Sequence, residues 1–117
     1  FFRDLETQVI QRLVQRDNTV ISLGGGAVIR DDNRQALIPH RIVWLQATPE
    51  SIWKRMNTDS TTGQRRPALT DHDGYREIVE LLDDREPLYR ACAEISVDTE
   101  EKSPSEIANE IVGLLNK

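Results

Sequence analysis

Apolar and polar positions follow two patterns along the chain. Steps of three and four residues are typical of helices with one buried face, as at Phe2, Leu5, Val9 and Leu13. Short unbroken apolar runs are typical of strands buried on both faces. In chain order the patterns predict a helix to about Arg16, a strand at 20–23, a helix at 31–37, a strand at 41–45, a helix from Pro49, a helix from Thr70 with Tyr75, Ile78, Val79 and Leu82 on one face, a helical stretch at 87–92, a strand at 94–98 and a last helix from Pro104 with Ile107, Ile111, Leu114 and Leu115 inward.

This alternation predicts one α/β domain with a parallel sheet covered by helices on both faces. Residues 24–40 are long enough for a crossover helix, so we expect the strands at 20–23 and 41–45 to be parallel. About three strands make a small sheet, and the chain starts at Phe1 without an initiator methionine. Both observations favour further sequence, with further strands, upstream of Phe1.

Composition narrows the classes of partner. The net charge of −5 and the pI near 5.0 argue against nonspecific nucleic-acid binding, which needs a basic surface. No apolar stretch approaches the length of a membrane span, so we expect no membrane partner. Cys92 is the only cysteine, which favours a reducing compartment such as the cytoplasm. Neither His40 nor His72 has a second metal ligand at suitable spacing, so we expect no zinc site.

The segment Gly24-Gly25-Gly26 directly follows the run at 20–23 and contains half of the six glycines. Such a segment allows positive φ or close approach of a ligand to the main chain. In open α/β sheets, ligands bind at the carboxyl ends of strands. The triplet therefore indicates a ligand site, with a tight turn that binds no ligand as the alternative.

Arginines are the candidate ligand-holding side chains, because the guanidinium binds carboxylates and phosphates in bidentate fashion. Arg3 lies at the amino end of the first helix, where the dipole disfavours a cation unless an anion faces it. Pairing of Arg3 with Glu6 or Asp4 is the alternative, as are local ion pairs for Arg85.

The polar segment at about 57–70 is the candidate for a mobile lid, closed by Arg65-Arg66-Pro67. Adjacent arginines there suit polyphosphate, and a solvated charge pair is the alternative. Taken alone, Arg55 and Lys102 would pass as ordinary surface cations. The chain contains no G-x-x-x-x-G-K-[ST] motif, so it has no P-loop.

Five motifs occur in order: F-R-D-L-E from Phe2, I-S-L-G-G-G-A, R-R-P-A-L, D-R-E-P-L-Y-R-A-C-A and V-D-T. Together they resemble shikimate kinase over the whole chain. The resemblance implies a three-layer parallel sheet of the P-loop, nucleoside-monophosphate-kinase-like type, of which residues 1–117 form the carboxyl-terminal portion. It also implies transfer of the ATP γ-phosphoryl to the 3-hydroxyl of shikimate with Mg²⁺, by a monomer.

The resemblance also implies roles for individual residues. Arg3, Arg85 and the triplet, with Gly25 central between Gly24 and Gly26, correspond to the shikimate-binding positions. The expected ATP-binding positions are Arg66 in the lid, Arg55, and the turn from Lys102 to Pro104. No catalytic or metal-binding residue is expected in this chain, because the P-loop lysine and the catalytic aspartate of the family lie upstream. Ala68 replaces the leucine that usually follows R-P.

Two other hypotheses stay open. A related sugar-acid kinase, such as gluconate kinase, shares the fold, although the triplet and the R-x-P-L-Y motif speak against it. A non-catalytic shikimate-binding remnant would keep the arginines without turnover. The chain by itself is expected to be inactive.

Overall fold

The computed structural model describes residues 1–58 and 72–117. It is an α/β structure in which helices surround a small parallel sheet. The described elements, in chain order, are α1 (Phe2–Leu13), a 3-10 turn (Ala27–Ile29), α2 (Asp31–Leu37), β1 (Val43–Gln46), α3 (Pro49–Thr58), α4 (His72–Cys92), β2 (Ile95–Asp98) and α5 (Pro104–Leu115).

The sheet of the described residues has two strands, β1 and β2, paired in parallel from Val43 opposite Ile95 to Gln46 opposite Asp98. The α/β class and the expectation of a parallel sheet are therefore confirmed. The expected strand at 20–23 does not form, so the predicted pairing of that strand with the next one is wrong. A strand needs a neighbour for its backbone groups, and residues 20–23 have none in the described part of the chain.

The core lies between α1, the 3-10 turn and α2. Ile10, Ala27 and Leu37 are buried together there, and Ile42, the residue before β1, packs against them. Buried Val97 lies on β2. The helices thus fix the position of residues 24–30 relative to the sheet.

The predicted apolar stripe of α1 does not face this core. Phe2 is 67% exposed, and Leu5 and Val9 are also exposed, whereas the buried positions of the helix are Thr7 and Ile10. The stripe instead lines an open groove of about 290 Å³ between α1 and residues 21–24. The described residues therefore leave one side of α1 without an apolar partner.

α4 is continuous through Pro87, where the sequence pattern predicted two helical pieces. Proline inside a helix removes one backbone hydrogen bond and normally kinks or ends the helix. Here the last turns of α4 pack against the 3-10 turn and, through Tyr89, against Trp44 of β1. This packing offsets the loss and places the whole R-E-P-L-Y segment on one helix.

Two helix starts follow the sequence signals closely. Ser51 donates its backbone N–H to the Thr48 hydroxyl at 3.1 Å, so Thr48 caps α3. Ser103 and Glu106 form the predicted capping box at the start of α5. The predicted lid segment lies outside the described residues except for Asn57 and Thr58, which end α3. No helix in the described ranges is long and apolar enough to cross a membrane.

Candidate active site

The glycine triplet lies at the centre of the site. None of its residues has positive φ, so the left-handed conformation does not explain the absence of side chains. Ala27 N–H donates to the Gly24 carbonyl at 3.1 Å, which starts the 3-10 turn. The buried side chain of Asn33 donates to the Ala27 carbonyl at 2.9 Å and anchors that turn to α2. The triplet is thus a fixed piece of main chain that is exposed at Gly24 and Gly25 and buried at Gly26.

Arg3 reaches the triplet from α1. A Cβ added at Gly26 would overlap the Arg3 guanidinium, so the glycine is required by this approach. Arg3 also forms an ion pair with Glu6, with 2.8 Å between Nη1 and Oε1. The local pairing considered from the sequence therefore exists, and it holds the guanidinium beside the triplet.

Arg85 reaches the triplet from α4. A Cβ added at Gly25 would lie 3.2 Å from Arg85 Nη1 and 3.0 Å from the Tyr89 hydroxyl. Arg85 forms no ion pair within the described ranges, so the alternative of local ion pairs on α4 is not seen there. Arg3 and Arg85, which are far apart in the sequence, thus meet at adjacent glycines.

A second cavity, of about 510 Å³, lies between α3, the end of the sheet and α5. Arg55 and Pro104, two of the expected ATP-binding positions, both line it. Arg55 Nη2 lies 3.3 Å from both the carbonyl and the hydroxyl of Thr99, which fixes the guanidinium at the wall. The other lining residues are mostly apolar: Leu45, Ala47, Ile52, Ile107, Ala108 and Ile111.

Lys102 does not line this cavity. Its ammonium group lies 3.0 Å from Glu110 Oε1, and this ion pair ties the turn before α5 to the helix itself. Arg66, the expected phosphate-binding arginine, lies outside the described residues.

Glu100 follows the cavity residue Thr99 and lies at the start of α3. Its carboxylate accepts hydrogen bonds from the Ser51 hydroxyl at 2.5 Å and from the backbone N–H of Thr48 at 3.3 Å. The Ser51 bond, more than any other cause, lowers the pKa of Glu100 below its ordinary value, and the positive charge of Arg55 adds to this. The carboxylate is therefore held ionised beside the helix start.

Comparison with known proteins decides the family. Residues 1–116 match the shikimate kinase family. The chain belongs to the shikimate kinase family. It is 38% identical to the shikimate kinase of Rhodopirellula baltica over 112 residues, which are 95% of this chain and 60% of that protein. It is 37% identical to the shikimate kinase of Enterococcus faecalis over 117 residues, 99% of this chain and 67% of that protein.

The fold also matches a solved member of the shikimate kinase family. That structure, shikimate kinase from Acinetobacter baumannii in complex with shikimate, superposes with a TM-score of 0.84 at 30% identity. The match covers 97% of this chain and 62% of the solved chain. The chain therefore spans about 60% of the length of several shikimate kinases that it resembles.

Three residues at the two candidate sites were not predicted from the sequence. Pairing of Glu6 with Arg3 was considered only as an alternative to ligand binding by Arg3, yet Glu6 holds that arginine beside the triplet. Tyr89 was quoted in a motif without a role, and its hydroxyl contacts Gly25. Thr99 is 4% exposed and bonds both Arg55 and the Gln46 carbonyl. A polar residue directly after a buried strand was the available signal for Thr99.

Proposed function

We propose that the full-length form, meaning this chain together with the segment by which its relatives exceed it, phosphorylates shikimate. The reaction transfers the γ-phosphoryl group of ATP to the 3-hydroxyl of shikimate, a step in the synthesis of aromatic amino acids. The observation that carries the proposal is the convergence of Arg3 and Arg85 on the glycine triplet. Family membership and the likeness to a shikimate complex support the choice of substrate.

The two arginines suit the carboxylate of shikimate. A planar guanidinium can donate two parallel hydrogen bonds to a planar carboxylate, and such charge-assisted bonds contribute about 1.5–3 kcal/mol each. Arg85 has its charge available because no described acid pairs with it. Gly25 lies next to Arg85 and Tyr89, and a Cβ added there would be 3.2 Å from Arg85 Nη1 and 3.0 Å from the Tyr89 hydroxyl, so an added side chain would make tight contacts with both.

We propose the second cavity for the adenine of ATP. Its apolar walls suit a flat heteroaromatic ring, and Arg55 and Pro104 lie on its lining, where they can flank the ring. Lys102 supports the turn that presents Pro104 through its ion pair with Glu110. Arg66 is proposed to reach the ATP phosphates from the lid segment.

The groups that act on the transferred phosphoryl are proposed to lie in the segment that this chain does not span. These are the P-loop with its lysine and the aspartate that holds the 3-hydroxyl. Within the described ranges, no group of three or more His, Cys, Asp or Glu side chains could hold a metal ion. The Mg²⁺ ligands are proposed, from the family resemblance, to lie in that same segment. Phosphoryl transfer depends mainly on positioning and charge stabilisation, and this chain supplies the substrate arginines and the adenine cavity.

We place the enzyme in the cytoplasm as a monomer. ATP is available there, and a free thiol such as Cys92 stays reduced in that compartment.

The experiment is a coupled assay of ADP release by the full-length form with ATP and Mg²⁺. We expect release with shikimate and none above background with gluconate, which separates this function from that of a sugar-acid kinase. Arg85→Lys keeps the charge but loses the planar fork, and we expect it to raise KM for shikimate about tenfold or more. Shikimate binding without any ADP release would instead favour the non-catalytic remnant.

A further inference from the structure

Tyr89 contacts the glycine triplet in a way that the arginines do not. Its hydroxyl donates a 2.7 Å hydrogen bond to the Gly25 carbonyl. Its ring packs against Trp44 of β1, with 5.7 Å between centroids and a tilt of 45°. Because the ring is held by the sheet and the hydroxyl holds the triplet, Tyr89 joins the triplet to both α4 and β1.

The two peptide units within the triplet are each anchored through their carbonyl oxygen. The Gly24 carbonyl accepts from Ala27 N–H, and the Gly25 carbonyl accepts from Tyr89. In a trans peptide the N–H points away from the C=O, and the chain has no cis bonds in its described parts. The directions of the Gly25 and Gly26 N–H groups are therefore set by these two bonds.

Neither N–H group has a hydrogen-bond partner among the described residues. In residues 1–58 and 72–117, neither Gly25 N–H nor Gly26 N–H donates a hydrogen bond. Backbone N–H groups beside two guanidinium groups form a donor set for a carboxylate. The first of these donors is oriented by a local turn, and the second depends on Tyr89.

We propose that Tyr89 is a positioning residue for the substrate carboxylate. It acts by holding the Gly25 carbonyl, so that the Gly26 peptide and the triplet backbone face the anion together with Arg3 and Arg85. Arg85 and Tyr89 are four residues apart on α4, so they lie on one face of that helix. Arg85 contacts the substrate carboxylate directly, and Tyr89 acts on it indirectly through the Gly25 carbonyl. The inference rests on the proposed shikimate-binding role of the site.

The chain contains a matched control. Tyr75, the other tyrosine, also lies on α4, also donates a 2.7 Å hydrogen bond, in this case to Glu50, and also packs its ring against a tryptophan, Trp53. Tyr75→Phe and Tyr89→Phe therefore remove equivalent groups from the same helix. Only the second substitution releases the triplet.

The experiment measures binding to the full-length form by calorimetry, with shikimate and with its methyl ester, which lacks the negative charge. We expect Tyr89→Phe to raise the Kd of shikimate about 3- to 10-fold and that of the ester less than about twofold, from the free energy of one hydrogen bond. Tyr75→Phe should change both by less than about twofold. KM for ATP should stay unchanged in Tyr89→Phe.

A second variant keeps the test decisive if Tyr89→Phe is poorly folded. Incorporation of 4-aminophenylalanine at position 89 keeps the ring and restores a donor, and it should restore most of the shikimate affinity. Equal losses with the acid and the ester, or no loss with either, would overturn the role of Tyr89 alone. Failure of the unsubstituted full-length form to bind shikimate would overturn the proposed function, and the role of Tyr89 with it.

Discussion

Glu6 holds Arg3 from one helical turn away, with 2.8 Å between Oε1 and Nη1, and the carboxylate is the more buried partner at 13% side-chain exposure. Glu6 Oε2 also faces Gly24, 3.6 Å from the position of an added Cβ. Arg3 is thus placed beside the triplet by a neighbour on its own helix, before any ligand arrives.

Replacing Glu6 with Gln tests this placement. The substitution removes the charge that fixes the guanidinium, so Arg3 must be ordered when shikimate binds. We expect the Kd of shikimate to rise about 3- to 10-fold by calorimetry on the full-length form. Asp4→Asn is the control, because Asp4 is exposed and pairs with Arg30 instead. Tighter binding by Glu6→Gln would mean that the carboxylate mainly repels the substrate.

The triplet should tolerate alanine unequally. Gly24→Ala meets only ordinary contact distances, and Gly26→Ala must displace the Arg3 head group. The Arg3 guanidinium is the far end of a flexible side chain and can move away, so we expect Gly26→Ala to change Tm little. Because the displaced guanidinium no longer faces the substrate carboxylate, we expect KM for shikimate to rise more than about tenfold. Gly24→Ala should change KM less than about threefold. Equal effects at both positions would contradict the close approach of Arg3.

Arg55 and Lys102 should differ in their effect on ATP. Arg55 lines the second cavity, whereas Lys102 pairs with Glu110 outside its lining. We expect Arg55→Ala to raise KM for ATP about fivefold or more with KM for shikimate unchanged, and Lys102→Ala to have a smaller effect. Steady-state kinetics on the full-length form measure both constants. A larger effect from Lys102→Ala would indicate that adenine binds nearer to the turn before α5 than to Arg55.

Acid should weaken the start of α3 through Glu100. The pKa of Glu100 is lowered in the folded protein, mainly by the Ser51 hydrogen bond, so its ionised form stabilises the fold. This contribution is complete above the ordinary pKa of 4.5 and is lost as the pH falls through the lower, folded value. Urea unfolding of the full-length form from pH 6 to pH 3 should show it. The free energy of unfolding should fall less steeply with decreasing pH in Glu100→Gln than in the unsubstituted protein. An unchanged pH dependence would exclude Glu100 as the cause.

The exposed stripe of α1 predicts how the chain behaves without the remaining segment. Phe2, Leu5 and Val9 line an open groove, and the edges of the two-stranded sheet are unpaired in the described residues. We expect the chain alone to associate at micromolar concentration, as seen by light scattering, and the full-length form to stay dispersed. The double substitution Leu5→Lys, Val9→Lys should reduce association of the chain alone. The same scattering from both forms would show that the added segment does not cover the groove.

Sequence reasoning succeeded where the signals are local. The bounds of α2 and the capping box at Ser103 depend on residues within one turn, and the structure has both. It failed for the strand at 20–23 and for the inward stripe of α1, because both depend on partners distant in the chain. Spacing alone could not bring Arg3 and Arg85 together, and only the order of family motifs suggested it. The role of Tyr89 was not predicted, because a hydrogen bond from a side-chain hydroxyl to a distant backbone carbonyl has no characteristic sequence pattern.

The contact between Trp44 and Tyr89 gives the protein a built-in optical reporter. Trp44 and Trp53 are the only tryptophans of this chain, and Trp53 lies beside Tyr75 at the other end of α4. In a Trp53→Phe background, the indole emission from this chain comes from Trp44, which is adjacent to the residue that touches the triplet. Occupation of the anion site can then be followed without a label, through the intensity and wavelength of a single emitting ring.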